Sequence, residues 1–122
     1  MKFLVVDDSP TMRRIVINAL HSFGYNDVVE ASDGQDALAI LYTEKIDFVI
    51  TDWNMPNMNG LELTKAIRND ATFGSLPVLM VTTRGIKEDI VQALQAKVNN
   101  YIVKPFTPAV LKEKIQAIVP NA

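Results

Sequence analysis

Phe3-Leu4-Val5-Val6-Asp7-Asp8-Ser9-Pro10 changes character twice within one short stretch. A continuous apolar run with β-branched residues is closed by two carboxylates, and a hydroxyl then stands directly before a proline. The apolar run reads as a strand buried on both faces, the pattern of a parallel sheet covered by helices. Ser9-Pro10 reads as a helix start, with a capping side chain and a proline suited to the first turn. Met12, Ile15, Val16, Ala19, Leu20 and Phe23 follow at helical spacing, and Gly24 ends the run.

The same alternation continues down the chain. Residues 28–31 form a second short strand, and Asp33-Gly34 opens a helix with the stripe Ala37, Leu38, Ile40 and Leu41. Phe48 to Thr51 is another fully apolar strand, closed by Asp52. Residues 53–60 are a loop by composition, and 61–67 a third helix. Pro77 enters a strand over 78–81 that ends in Thr82-Thr83. A fourth helix over 87–96 carries Ile90, Val91 and Leu94 on one side. Residues 101–103 make a fifth strand ended by Lys104-Pro105, and Pro108 starts a last helix with Leu111, Ile115 and Ile118. Five apolar strands alternating with five amphipathic helices predict an α/β chain: a single doubly wound (βα)5 domain with a five-stranded parallel sheet.

Composition narrows the function. A chain of 122 residues has room for one domain, and 48% hydrophobic residues are enough for a core. Twelve Lys and Arg against 14 Asp and Glu leave a net charge of −2, which argues against non-specific nucleic-acid binding. No apolar run is long enough for a membrane span, and no signal-peptide pattern opens the chain, so a cytoplasmic location is expected. The absence of cysteine excludes disulfides, thiolate catalysis and cysteine-based metal sites.

The chemistry collects at strand ends. Asp7 and Asp8 close the first strand, Asp52 the third, Thr82 the fourth and Lys104 the fifth. In an open parallel sheet these ends share one edge, and ligands bind outside it where strand order reverses. Three carboxylates brought together repel one another unless a cation compensates. Mg2+ takes oxygen ligands from one or two carboxylates, waters and a substrate phosphate. Lys104 adds a second positive charge and Thr82 a hydroxyl, a set suited to the charged oxygens of an incoming phosphoryl group. Singly, each residue reads as an ordinary turn or cap; together, at matching ends, they read as a site. His21, in the first helix and away from these ends, reads as a solvated side chain.

These residues resemble the receiver domain of two-component response regulators, and the resemblance runs essentially end to end. Its motifs are Val5-Val6-Asp7-Asp8, Thr51-Asp52-Trp53-Asn54-Met55-Pro56, Val81-Thr82-Thr83 and Val103-Lys104-Pro105-Phe106. Within the family, residues 9–16, residues 52–60, Tyr101 and Lys104-Pro105-Phe106-Thr107 look most like the chemotaxis response regulators. The resemblance implies a flavodoxin-like receiver domain over residues 1–122 with no output domain, and a phosphoacceptor, not a substrate-turnover enzyme. It implies phosphorylation of Asp52 by a histidine kinase or a small acyl phosphate. Asp8 and Asp52 would hold Mg2+ through their carboxylates and Asn54 through its backbone carbonyl, with Asp7 acting largely through water. Lys104 would pair with the phosphoryl group, through a cis Lys104-Pro105 bond. Thr82 and Tyr101 would form a switch, the ring turning from exposed to buried as the hydroxyl is drawn inward. The implied partners are a chemotaxis histidine kinase, a flagellar motor switch protein and a phosphatase, acting on a monomer. A receiver serving a non-chemotaxis phosphorelay is the alternative.

Three positions depart from the usual pattern. Arg84 stands where the best-known chemotaxis members carry an acid. Lys97 stands where the family often has glycine, at a cost of about 1–2 kcal/mol if the position is left-handed. Ser9-Pro10 replaces a large aromatic and is expected to open the pocket rim. Trp53 is expected to be a partly exposed loop residue. A phosphatase of the aspartate-nucleophile class is disfavoured because the first strand gives Asp-Asp-Ser and not Asp-x-Asp. A dinucleotide module is disfavoured because no Gly-x-Gly-x-x-Gly follows that strand.

Overall fold

The computed structural model describes residues 1–119; the last three residues of the expected 1–122 domain lie outside the described residues. The expected alternation is present: β1 (Lys2–Val6), α1 (Pro10–Ser22), β2 (Asp27–Ala31), α2 (Gly34–Thr43), β3 (Phe48–Thr51), α3 (Gly60–Arg68), β4 (Val78–Thr82), α4 (Lys87–Gln95), β5 (Asn100–Val103) and α5 (Pro108–Ile118). All strands pair in parallel in the order β2-β1-β3-β4-β5. The order reverses at β1, which lies between β2 and β3, so the ends of β1 and β3 flank the crevice that such a reversal opens.

The period of two along each strand divides the core. Phe3, Val5, Phe48, Ile50, Leu79, Val81 and Ile102 face one side and pack against Val16, Ile17 and Leu20 of α1 and Leu111 and Ile115 of α5. Leu4, Val6, Val49, Val78 and Met80 face the other and pack against Ala37 and Leu41 of α2, Leu63 and Ile67 of α3, and Ala93 of α4. Strands covered on both faces need no polar alternation, which is why they appear in the sequence as unbroken apolar runs.

Two stripes differ from expectation. In α1, Ile17 is buried while Ile15 is 47% exposed, because the helix turns its Val16-Ile17-Leu20 side to the sheet. In α4 the expected stripe is not the buried one: Val91 and Leu94 are 40% and 51% exposed, and the sheet is met by Ala93. Ala93 is the side chain that α4 buries, while Val91 and Leu94 are turned outward.

Helix ends are set by local chemistry. Ser9 Oγ accepts from Met12 N, Asp33 from Asp36 N, and Thr107 Oγ1 from Val110 N, while Asn59 and Glu62 form a reciprocal capping box. Past α1, Gly24 adopts φ 93°, with Gly24 N donating to His21 O and Tyr25 N to Leu20 O, a Schellman closure. Lys97 repeats this past α4 at φ 72°, with Lys97 N donating to Leu94 O and Val98 N to Ala93 O. The left-handed position is therefore occupied by a residue with a Cβ. Arg68 braces it, giving Nε and Nη2 to the Lys97 carbonyl at 3.0 and 2.8 Å. Lys97→Gly is expected to raise stability by about 1 kcal/mol in urea denaturation, relief of the left-handed strain exceeding glycine's entropic cost.

Candidate functional site

The β1–β3 crevice gathers the strand-end residues. Asp7 is buried, Asp52 largely buried and Asp8 exposed, and one carboxylate oxygen from each lies within 4.8 Å of the others. Lys104, from beyond β5, reaches across the edge: its Nζ is 3.1 Å from Asp7 Oδ2 and 3.4 Å from Asp52 Oδ2. The Lys104-Pro105 bond is cis, as the resemblance implied.

Two of the three carboxylates are held by the backbone of their own turns. Asp52 Oδ1 accepts from Trp53 N at 2.7 Å, and Asp7 Oδ1 from Ser9 N at 2.9 Å. Arg13 was not singled out in the sequence, yet it grips the Asp7 carbonyl through Nη1 at 2.6 Å and pairs with Glu30 of β2 at 2.9 Å. Its only sequence signal is a cation in the first turns of the helix that follows the acidic pair. Asp33, the cap of α2, accepts from Asn57 Nδ2 at 2.7 Å, and Gly34 N donates to Met58 O. The loop after Asp52 is thereby tied to the neighbouring helix. These backbone and side-chain bonds hold the Asp33 carboxyl below its usual range.

Gly60 sets the return of that loop. A Cβ added there would lie 1.9 Å from the Asp52 carbonyl oxygen and 2.9 Å from its carbon, so the backbone itself would have to move. Gly60→Ala is expected to cost about 2–3 kcal/mol, as for other overpacked sites, and to shift the Asp52 carboxylate with its peptide. Urea denaturation checks the first effect and Mg2+ affinity the second.

The electrostatics show a site short of positive charge. Burial pushes the Asp52 carboxyl up from its usual value; Lys104 and the Trp53 amide pull it back down, and Asp7 adds to the rise. One lysine does not fully compensate three carboxylates. Hard oxygen donors converging with excess negative charge fit a divalent cation such as Mg2+.

The remaining residues lie around this cluster. Thr82, wholly buried at the end of β4, accepts from Arg84 N through Oγ1 at 3.3 Å. Tyr101 is half-buried, packs against the α2–α4 side of the core, and donates its hydroxyl to the Arg84 carbonyl. Burial and the charge of Asp89, opposed by Arg84, push its phenol up to about 12, so it remains a donor across ordinary pH. Trp53 corrects the expectation of partial exposure: it is 3% exposed, packed in the core, with the Arg84 guanidinium 4.5 Å above its ring. Asn54 is exposed, and its side chain is engaged by Arg84. His21 is exposed on α1 and takes no part in the cluster. Beside Lys104 runs a groove of about 380 Å³ lined by Met12, Ile15, Thr83, Pro105 and Phe106.

Known proteins share both sequence and architecture with this chain. Residues 3–116 match the family described as "Response regulator receiver domain". The chain is 54% identical to "Chemotaxis protein CheY1" of Helicobacter pylori, over 98% of this chain and 97% of that protein. It is also 54% identical to a "Chemotaxis protein CheY homolog" of Campylobacter jejuni, over 98% and 92%. Among solved structures, the chemotaxis response regulator CheY4 of Vibrio cholerae superposes with a TM-score of 0.88 at 37% identity, covering 96% of this chain and 97% of that one. The receiver domain of a Pseudomonas aeruginosa sensor histidine kinase, described with a magnesium ion coordinated in its active site cleft, gives 0.86 at 28% identity over 95% and 94%. With a family match over most of its length and relatives this similar, the chain belongs to the response regulator receiver domain family.

Proposed function

We propose that this chain is a Mg2+-dependent phosphoacceptor that signals by protein contact, taking a phosphoryl group on Asp52. The observation that carries this reading is the meeting of Asp7, Asp8 and Asp52 at one sheet edge with Lys104 Nζ in ion-pair range of two of them. Asp7, Asp8 and Asp52, with the Asn54 backbone carbonyl, are the residues that would hold the metal. When bound, Mg2+ supplies positive charge for the carboxylates and for the phosphoryl oxygens.

The chain's own residues account for the rest. Asp52, ionised and fixed by the Trp53 amide, forms an oxygen–phosphorus bond as the donor's bond to phosphorus breaks. The electron pair leaves with the donor: a phosphohistidine releases imidazole, which takes a proton from solvent, and an acyl phosphate releases a carboxylate. Lys104 moves from pairing carboxylates to pairing the phosphoryl group, and Thr82 gives its hydroxyl to a phosphoryl oxygen. Tyr101, linked to Thr82 through the backbone of Arg84, reports that movement to the surface of α4, β5 and α5 as a population shift.

The chemotaxis names of the 54% identical relatives support a role in chemotaxis; the proposed donor is a chemotaxis histidine kinase and the proposed target a flagellar motor switch protein, for a monomer acting in the cytoplasm. Exposed Val91, Leu94 and Val103 offer an apolar face to such a target. Receiver domains are signalling proteins, and slow self-dephosphorylation is the only turnover assigned to this one. The test is uptake from acetyl phosphate followed by intact mass: one phosphoryl group per chain with Mg2+ and none with a chelator. Equal uptake in both, or none in either, contradicts the reading.

A further inference from the structure

Arg84 makes more separate contacts near the site than any role above requires. Its Nε and Nη2 both donate to Asn54 Oδ1, at 3.0 and 2.9 Å. Its guanidinium lies 4.5 Å from the Trp53 ring centre, and Nη1 is 3.6 Å from Asp89 of α4. Its backbone works separately: the amide donates to Thr82 Oγ1 and the carbonyl accepts from the Tyr101 hydroxyl. The side chain therefore holds the two residues that follow Asp52, while the backbone of the same residue holds both members of the Thr82–Tyr101 pair.

A guanidinium is suited to this junction. It is planar and permanently charged, so it can lie over an indole and direct two N–H groups to one oxygen at the same time. Asp89 adds an anchor in the first turn of α4, the helix whose apolar face is turned outward. Contacts on three sides tie the Arg84 side chain to the 53–54 loop and to α4.

We propose that Arg84 is a positioning residue that couples the metal-binding loop to the Tyr101 ring, so that Mg2+ alone, without a phosphoryl group, alters the setting of the switch. This rests on the metal reading above, because Asn54 is the loop residue whose backbone carbonyl would face the ion. Metal held at that carbonyl restrains the Asn54 side chain, which restrains Arg84 and, through its carbonyl, the Tyr101 hydroxyl. Coupling of this kind is reciprocal: whatever fixes Tyr101 inward strengthens Mg2+ binding by the same factor.

The test uses the full chain with fluorinated tyrosine, the Tyr101 line being assigned with Tyr101→Phe, and Mg2+ affinity measured by calorimetry. The wild-type Tyr101 fluorine line is expected to shift on saturation with Mg2+. Arg84→Met keeps an apolar stem over Trp53 and removes the guanidinium. It is expected to bind Mg2+ yet lose at least half of that shift, while Arg84→Lys recovers only part of it. A full shift in Arg84→Met, or a wild type that binds Mg2+ with no shift, overturns the coupling. A wild type that binds no Mg2+ overturns the metal reading itself, and the coupling with it.

Discussion

Asp52→Asn is expected to take up no phosphoryl group from acetyl phosphate and, free of metal, to unfold at a higher temperature than the wild type at neutral pH. The first effect follows from losing the nucleophilic carboxylate; an amide oxygen is a poor nucleophile and leaves no stable acyl phosphate. The second follows from the site's charge. Burial raises the folded pKa of Asp52 above its usual 3.8, with Asp7 adding to the rise and Lys104 opposing it. Between 3.8 and that raised value the folded chain binds more protons than the unfolded one, so stability falls as pH rises through the window. The penalty is fully present above the raised pKa, and an asparagine does not carry it. The gap between the two proteins is therefore expected to close as pH falls toward 3.8 and to narrow at neutral pH when Mg2+ is added. Calorimetric scans across pH, with and without Mg2+, measure both trends. A variant less stable than the metal-free wild type at pH 7 would contradict this picture of the site.

Lys104→Ala is expected to cost about 3 kcal/mol without metal, read by urea denaturation, and to lose less of its stability when Mg2+ is present. Lys104 and its two partners are nearly buried, with side chains 12%, 8% and 12% exposed. Removing one partner from such a cluster leaves desolvated charge unpaired, a more costly change than losing a surface ion pair. Mg2+ replaces the missing positive charge and is expected to bind the variant at least as tightly as the wild type. The same variant is expected to accept phosphoryl groups slowly and to leave Tyr101 unresponsive to them, since no ammonium remains to hold the phosphoryl oxygens. Stability unchanged in metal-free buffer would show that Lys104 does not offset the carboxylates.

Much of this was legible in the sequence because the deciding signals are local. An apolar run closed by an acid marks a buried parallel strand and also places that acid at the sheet edge, so Asp7, Asp8 and Asp52 were visible as a group. Caps at Ser9 and Asp33, and the left-handed cost at Lys97, are likewise readable from a few neighbouring residues. What escaped depends on contacts between distant segments. Helical spacing reveals an apolar stripe on α4 without revealing whether anything covers it, and Ala93 proved to be the residue facing the sheet. Trp53 has a loop's composition around it, yet it enters the core, with the Arg84 guanidinium over its ring. Arg84 reaches a residue 30 positions away, and Arg13 folds back on the Asp7 carbonyl just past β1 while pairing with Glu30 of β2; no periodicity announces either.

The phosphoryl group is expected on Asp52 and on neither acid at the end of β1. The most direct measurement is borohydride reduction after treatment with acetyl phosphate and Mg2+, followed by mass spectrometry of the peptides. Reduction converts an aspartyl phosphate to homoserine and leaves free aspartate unchanged. Homoserine is expected at position 52 alone, dependent on Mg2+; homoserine at position 7 or 8, or at none of the three, would overturn the assignment to Asp52.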